Sequence, residues 1–189
     1  MDADLPLIEA IRSGDETALE TLMERHQTAL YYFVLRYTGN EHTAGEIVQE
    51  TFVRAYFKAH TFRPRSTVKT WLYTIALNLC RDAGRRRSRQ PTSIPLDLSP
   101  GYDGEPGLEH ADPSAPLADE ATVRSEELDL LRTAIDRLPE KLRVPLTLCV
   151  LEEHSHKEAA EILSTTPKTI ELRIYRAKKK LRRLMDTTR

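Results

Sequence analysis

Between His60 and Trp71 the chain reads HTFRPRSTVKTW, with aromatic rings set between cations. His60, Phe62, Arg63, Arg65, Lys69 and Trp71 offer π-faces for unstacked bases and positive charges for a sugar–phosphate backbone. A second cationic stretch runs from Lys168 to Arg183, with eight Lys/Arg against one acid. That density attracts phosphates strongly. Neither stretch is a catalytic arrangement. Metal-dependent phosphoryl chemistry wants converging carboxylates, whereas the acids here are scattered over helix exteriors and one connector. No Gly-rich phosphate loop is present and no Ser/His/Asp arrangement is suggested, so no enzyme activity, catalytic residue, metal or cofactor is expected. Cys80 and Cys149, the only two cysteines, sit among apolar residues and read as reduced core thiols. Without a histidine cluster they make no zinc site.

The elements that must position these residues are helices. Leu5 to Ile11 forms a short leading one. In the next pattern Leu19, Leu22, Met23, His26, Leu30, Phe33, Val34 and Tyr37 recur at three- and four-residue steps. His26 lies on that apolar stripe and reads as a hydrogen-bonded core-edge histidine. Gly39-Asn40 breaks the pattern, and Glu41 to Ala59 continues as a second long helix. Pro64 interrupts again before Ser66, a plausible N-cap for a helix reaching about Arg87. Further on come Val123–Arg137, Pro139–Leu151, Ser155–Leu163 and Pro167–Met185. No segment alternates like a strand, so the fold class is all-α, in two small helical domains.

The second half contains a helix–turn–helix signal. A short helix with Ala159, Ala160, Ile162 and Leu163 meets the turn STT, and a new helix opens at Pro167, where proline's missing N–H has no partner to lose. Thr166 can cap the same end. On a 100° wheel Ile170, Ile174, Ala177, Leu181 and Leu184 share one face. Lys168, Leu172, Tyr175, Arg176, Lys179 and Arg183 share the other, which suits a recognition helix in a major groove. Exposed Leu172 can meet a thymine methyl, Arg176 a guanine edge or phosphate, and Glu171 a cytosine amino group.

The same wheel over residues 68–87 gives a packing flank of Leu72, Ile75, Ala76, Leu79 and Ala83. A separate polar stripe holds Thr70, Thr74, Asn78, Arg81 and Arg85, extended by Arg86, Arg87 and Arg89. On the helix before it Val48, Thr51, Phe52 and Ala55 face inward. Glu46, Gln49, Glu50, Val53 and Phe57 face out, and exposed apolar residues beside acids suit a partner surface.

Net charge is −1, but its distribution is uneven. Residues 1–90 sum to +2, residues 91–122 hold seven acids and no Lys or Arg, and residues 123–189 sum to +4. The middle stretch also holds six of the 11 prolines and three of the seven glycines. It reads as an extended acidic linker with a flexible-chain span on the order of 30 Å. No apolar run approaches the roughly 18 residues needed to cross a bilayer. The acidic start, MDADLPLIEAIRSGDE, is unlike a signal peptide. A cytoplasmic protein without membrane insertion is expected.

GEIVQETFVRAY, FRPRSTVKTWLYTIALNLCRD and RLPEKLRVPLTL, followed by SHKEAAEILSTTPKTIELRIYRAKKKLRRL, resemble bacterial extracytoplasmic-function (ECF) sigma factors in order and spacing. The resemblance implies a sigma region-2-like domain at 1–90, a linker at 91–122 and a region-4-like domain at 123–189. It implies a protein that binds the clamp and flap regions of core RNA polymerase, directs it to promoters and helps melt them. It also implies a partner that restrains it, an anti-sigma factor. Polymerase contacts would fall on Glu46, Gln49, Glu50, Val53, Arg54 and Phe57. Opened −10 DNA would meet His60, Phe62, Arg63, Arg65, Ser66, Lys69, Thr70, Trp71, Thr74, Asn78, Arg81, Arg85 and Arg86, with one base flipped from the duplex. Duplex −35 DNA would meet Ser155, Thr166, Pro167, Lys168, Thr169, Glu171, Leu172, Arg173, Tyr175, Arg176 and Lys179. The chain departs from the family's habits at Pro64-Arg65-Ser66, Val68, Thr74, Lys168 and Glu171-Leu172, so a promoter sequence does not transfer. The alternative is an autonomous helix–turn–helix regulator, which would need no outward Gln49/Glu50 face and no melting loop.

Overall fold

The computed structural model describes residues 2–89 and 130–186. The acidic linker and the start of the Val123–Arg137 helix lie outside the described residues. Among those described, every regular element is a helix. In the first half these are α1 (Leu5–Arg12), α2 (Glu16–Thr38), α3 (Glu41–Lys58) and α4 (Val68–Arg89), with a 3₁₀ turn at Ala59–Thr61. In the second half residues 130–136 are helical. They are followed by α5 (Glu140–Leu146), a π-helical turn at Thr147–Leu151, α6 (His156–Ile162) and α7 (Pro167–Asp186).

Local chemistry sets most boundaries. Asp15 accepts from the N–H groups of Thr17 and Ala18 to start α2, and Gly39 ends it at φ 65°, a left-handed conformation that costs glycine little. Asn40 accepts from Thr43 N–H at the head of α3. Ser155 and Glu158 form a reciprocal capping box on α6. Thr166 accepts from Thr169 N–H on α7, as its sequence suggests. The cap of α4 differs from expectation by one residue: Thr67 Oγ1, not Ser66, accepts from Thr70 N–H at 3.1 Å. The Pro139–Leu151 segment is also not one α-helix. Pro145 removes a donor from α5, and the chain widens into the π turn directly after it.

The stripes read from the sequence are buried as expected. Leu22, Leu30, Phe33, Val34, Phe52, Leu72 and Ala76 fill the first half, and Ile162, Ile170, Ile174, Ala177 and Leu181 fill the second. The two halves also touch. One contiguous apolar cluster runs through both, and α4 packs against α6. No described helix is long and apolar enough to cross a membrane.

Candidate nucleic-acid interface

The loop between α3 and α4 and one flank of α4 form the first surface. His60, Arg63 and Arg65 are exposed on the loop. Asn78 and Arg85 to Arg87 are exposed on the helix, and Ser66, Lys69, Trp71, Thr74 and Arg81 are half-buried between them. Two expected contact residues lie underneath instead. Phe62 is 3% exposed and Thr70 1%, so neither can touch a strand as the chain stands. Phe62 packs against Trp71 at 5.1 Å between ring centroids and props that ring outward. Thr70 closes the first turn of α4, its hydroxyl 2.8 Å from that of Thr67.

The second surface is the outer face of α7. Leu172 and Tyr175 are 46% and 64% exposed. Lys168, Glu171, Arg176 and Lys179 are exposed around them, with Thr169 and Arg173 half-buried. Exposed Thr166 and Pro167 head this helix and exposed Ser155 heads α6. Ile170, Ile174, Ala177 and Leu181 are buried and fix the opposite side of the helix. A third surface, on α3, shows Phe57 at 69% and Val53 at 48% exposure. Glu46 and Gln49 are exposed beside them, and the half-buried Glu50 accepts from Arg54 Nε at 2.7 Å.

The residues that sequence reasoning missed are those joining the halves. Glu152 is buried, its side chain only 6% exposed. Its carboxylate accepts from Tyr73 Oη at 2.8 Å and from Arg36 Nη1 at 2.6 Å. Its backbone carbonyl accepts from Lys69 Nζ at 2.8 Å. Farther along α4, Arg81 Nε donates to Glu140 at 3.2 Å. Glu153, at φ 56°, takes the left-handed conformation that non-glycine residues seldom adopt, and the residues on either side of it, Glu152 and His154, are both buried. Lys69, Tyr73 and Arg81 on α4 are thus occupied by the other half of the chain.

His154 completes this contact. Its ring meets the edge of Tyr73 at 4.5 Å, and neither ring nitrogen has a hydrogen-bond partner among the described residues. Burial, with Lys69 nearby, pulls its pKa down to about 4 from an ordinary 6.5, against a smaller opposing pull from Glu158. A neutral imidazole is therefore the form that fits. When the halves part, the ring regains its ordinary pKa, so protons favour the parted state. Closure should be unaffected by this group above pH 6.5 and should weaken as pH falls from there toward 4. Small-angle scattering across that range checks it. A His154→Leu chain should lose that part of the pH response.

The two thiols are ordinary in this setting. Burial raises Cys80 to about 12 and moves Cys149 upward as well, which makes poor nucleophiles of both.

Residues 22–90 match the Sigma-70 region 2 model and residues 128–181 the Sigma-70, region 4 model. The ECF RNA polymerase sigma-E factor of Escherichia coli strain K12 is 34% identical over 176 residues, 93% of this chain and 90% of the relative. The RNA polymerase sigma-H factor of Pseudomonas aeruginosa is 28% identical over 179 residues, 94% and 91% of the two chains. Among solved structures, CnrH in complex with the cytosolic domain of CnrY has a TM-score of 0.71 at 27% identity, covering 98% of this chain and 99% of that one. The sigma factor RpoE in complex with the anti-sigma factor NepR from Bartonella quintana has a TM-score of 0.64 at 25% identity, covering 90% and 98%. With both regions matched in order and the similarity running through nearly the whole length, the chain belongs to the ECF family of RNA polymerase sigma factors.

Proposed function

We propose that this protein attaches to core RNA polymerase, brings it to promoters and helps open them, with each of the three surfaces serving one partner. The α3 face docks on the polymerase clamp. The loop at 59–67 and the flank of α4 hold a separated −10 strand, and α7 reads duplex −35 DNA in the major groove. The working division is 1–90, 91–122 and 123–189, in which the acidic linker lets the two DNA contacts act at high effective concentration. The protein works in the cytoplasm and carries out no chemistry of its own.

One observation carries this reading. Two DNA-suited faces of different kinds share a chain with an exposed Val53/Phe57 patch that neither of them uses. A stand-alone helix–turn–helix regulator has no need of that patch or of the α4 loop. The relatives' complexes with CnrY and with an anti-sigma factor support a protein partner that restrains this chain too. The contact between the halves adds a second restraint. The second half takes up Lys69 through Glu152 and Arg81 through Glu140, two residues of the −10 set, so a strand reaches both only when the halves separate.

The direct test is on α3. Exposed aromatic residues at the centre of an interface carry much of its energy. Phe57→Ser should weaken binding to core polymerase by about tenfold or more while leaving duplex −35 binding unchanged. Undiminished polymerase binding would remove the α3 face from the model.

A further inference from the structure

Two groups from the first twelve residues end on the loop between α3 and α4. At the loop's start, Arg12 Nε donates to the Ala59 carbonyl at 2.9 Å and Arg12 Nη2 to the Phe62 carbonyl at 2.7 Å. At its end, Asp2 Oδ2 accepts from Val68 N–H at 2.6 Å. The other oxygen of Asp2 accepts from Asp4 N–H at 3.1 Å, next to the head of α1.

These ties are anchored. Asp4 accepts from Arg25 at 2.7 Å and lies 2.6 Å from His26 Nε2. Ile8 and Ile11 are buried beneath α1. The leading helix is therefore bound to α2 by charge and by apolar packing. The segment it spans holds the exposed His60, Arg63 and Arg65, with Phe62 as its buried pin under Trp71. The matched region 2 model begins at residue 22, so both ties come from outside it.

A guanidinium is a rigid fork whose two N–H bonds fix the relative positions of the two carbonyls they reach. A loop held this way has already lost conformational freedom. An untied loop must lose it when the strand binds, and affinity drops accordingly.

We propose that Arg12 and Asp2 are positioning residues for strand capture: they hold the 59–67 loop in the shape that meets an unstacked base. They act on melting, not on attachment to polymerase or to duplex DNA. This rests on the assignment of the loop to the −10 strand, and the experiment separates the two ideas.

Full-length chain is assembled with core polymerase. Three affinities are measured: for core, for a −35 duplex, and for a labelled single-stranded oligonucleotide carrying the −10 element of a promoter it transcribes. Arg12→Gln should lower oligonucleotide affinity by about tenfold and leave the other two within about twofold. Arg12→Lys, which can reach only one carbonyl well, should fall between. Asp2→Asn keeps only one of the two acceptor oxygens in use and should fall between the parent and Asp2→Ala, which should lose affinity for the oligonucleotide alone. The double variant Arg63→Ala, Arg65→Ala tests the loop itself. If it lowers oligonucleotide affinity and the Arg12 and Asp2 variants do not, the positioning role is wrong. An equal fall in all three affinities for Arg12→Gln and Asp2→Ala would also overturn it, as general loss of fold. If the double variant changes nothing, the strand assignment fails and the proposal fails with it.

Discussion

Glu152→Ala should part the two halves of the free protein. The carboxylate it removes is buried and holds Tyr73 and Arg36 together. Without it, a buried tyrosine hydroxyl and a guanidinium lose their acceptor. Breaking one partner of a buried charge pair costs about 3 to 5 kcal/mol. Arg36 is 43% exposed along its side chain, so water compensates part of that loss and the lower figure is the fair one. About 3 kcal/mol moves the closed-to-open ratio on the order of a hundredfold. Small-angle scattering at neutral pH should report a larger radius of gyration for the variant than for the parent. The freed α4 face should bind single-stranded DNA more tightly without polymerase. Glu152→Gln, which keeps one acceptor oxygen, should lie between. Identical scattering curves for parent and alanine variant would show that this contact does not hold the halves closed.

The other large effect belongs to α7. Reversing two exposed cations, Arg176→Glu with Lys179→Glu, leaves the buried face of the helix untouched and should preserve the fold. Each phosphate contact contributes roughly 0.9 to the slope of log affinity against log salt. The double reversal should therefore flatten the slope for a −35 duplex by about 2. Repulsion from the new carboxylates adds to the loss, giving a fall on the order of a hundredfold or more at low salt. Binding to polymerase and to single strands should be unaffected. An unchanged slope would place the duplex contact elsewhere on the chain.

What the sequence reveals here is set by range. Helices, their caps and their buried stripes depend on neighbours three and four residues away, so Ile170, Ile174, Ala177 and Leu181 could be assigned on a wheel. The cap falls at Thr67 and not Ser66: the two carry the same chemistry, and only backbone geometry chooses between them. Phe62 and Thr70 have residue types suited to DNA, yet packing beneath Trp71 and closure of a helical turn use them first. Tyr73 sits between the two flanks of the α4 wheel and belongs to neither. It is buried because another part of the chain, 79 residues away, brings Glu152 onto it. Glu152, Glu153 and His154 fall between the Pro139–Leu151 and Ser155–Leu163 patterns, where no local period assigns them. Likewise nothing local marks Arg12, whose partners are carbonyls 47 and 50 residues on. The outward faces of α3, α4 and α7 are legible as exposed polar or cationic stripes. The contacts that restrain or shape them are not.

Transcription in vitro with core polymerase and a library of promoter variants tests the central assignment most directly. With the purified chain added, initiation should appear at defined sites, and the selected promoters should share two separated elements near −35 and −10. Start sites identical to those of core polymerase alone, or no association of the chain with core, would contradict it.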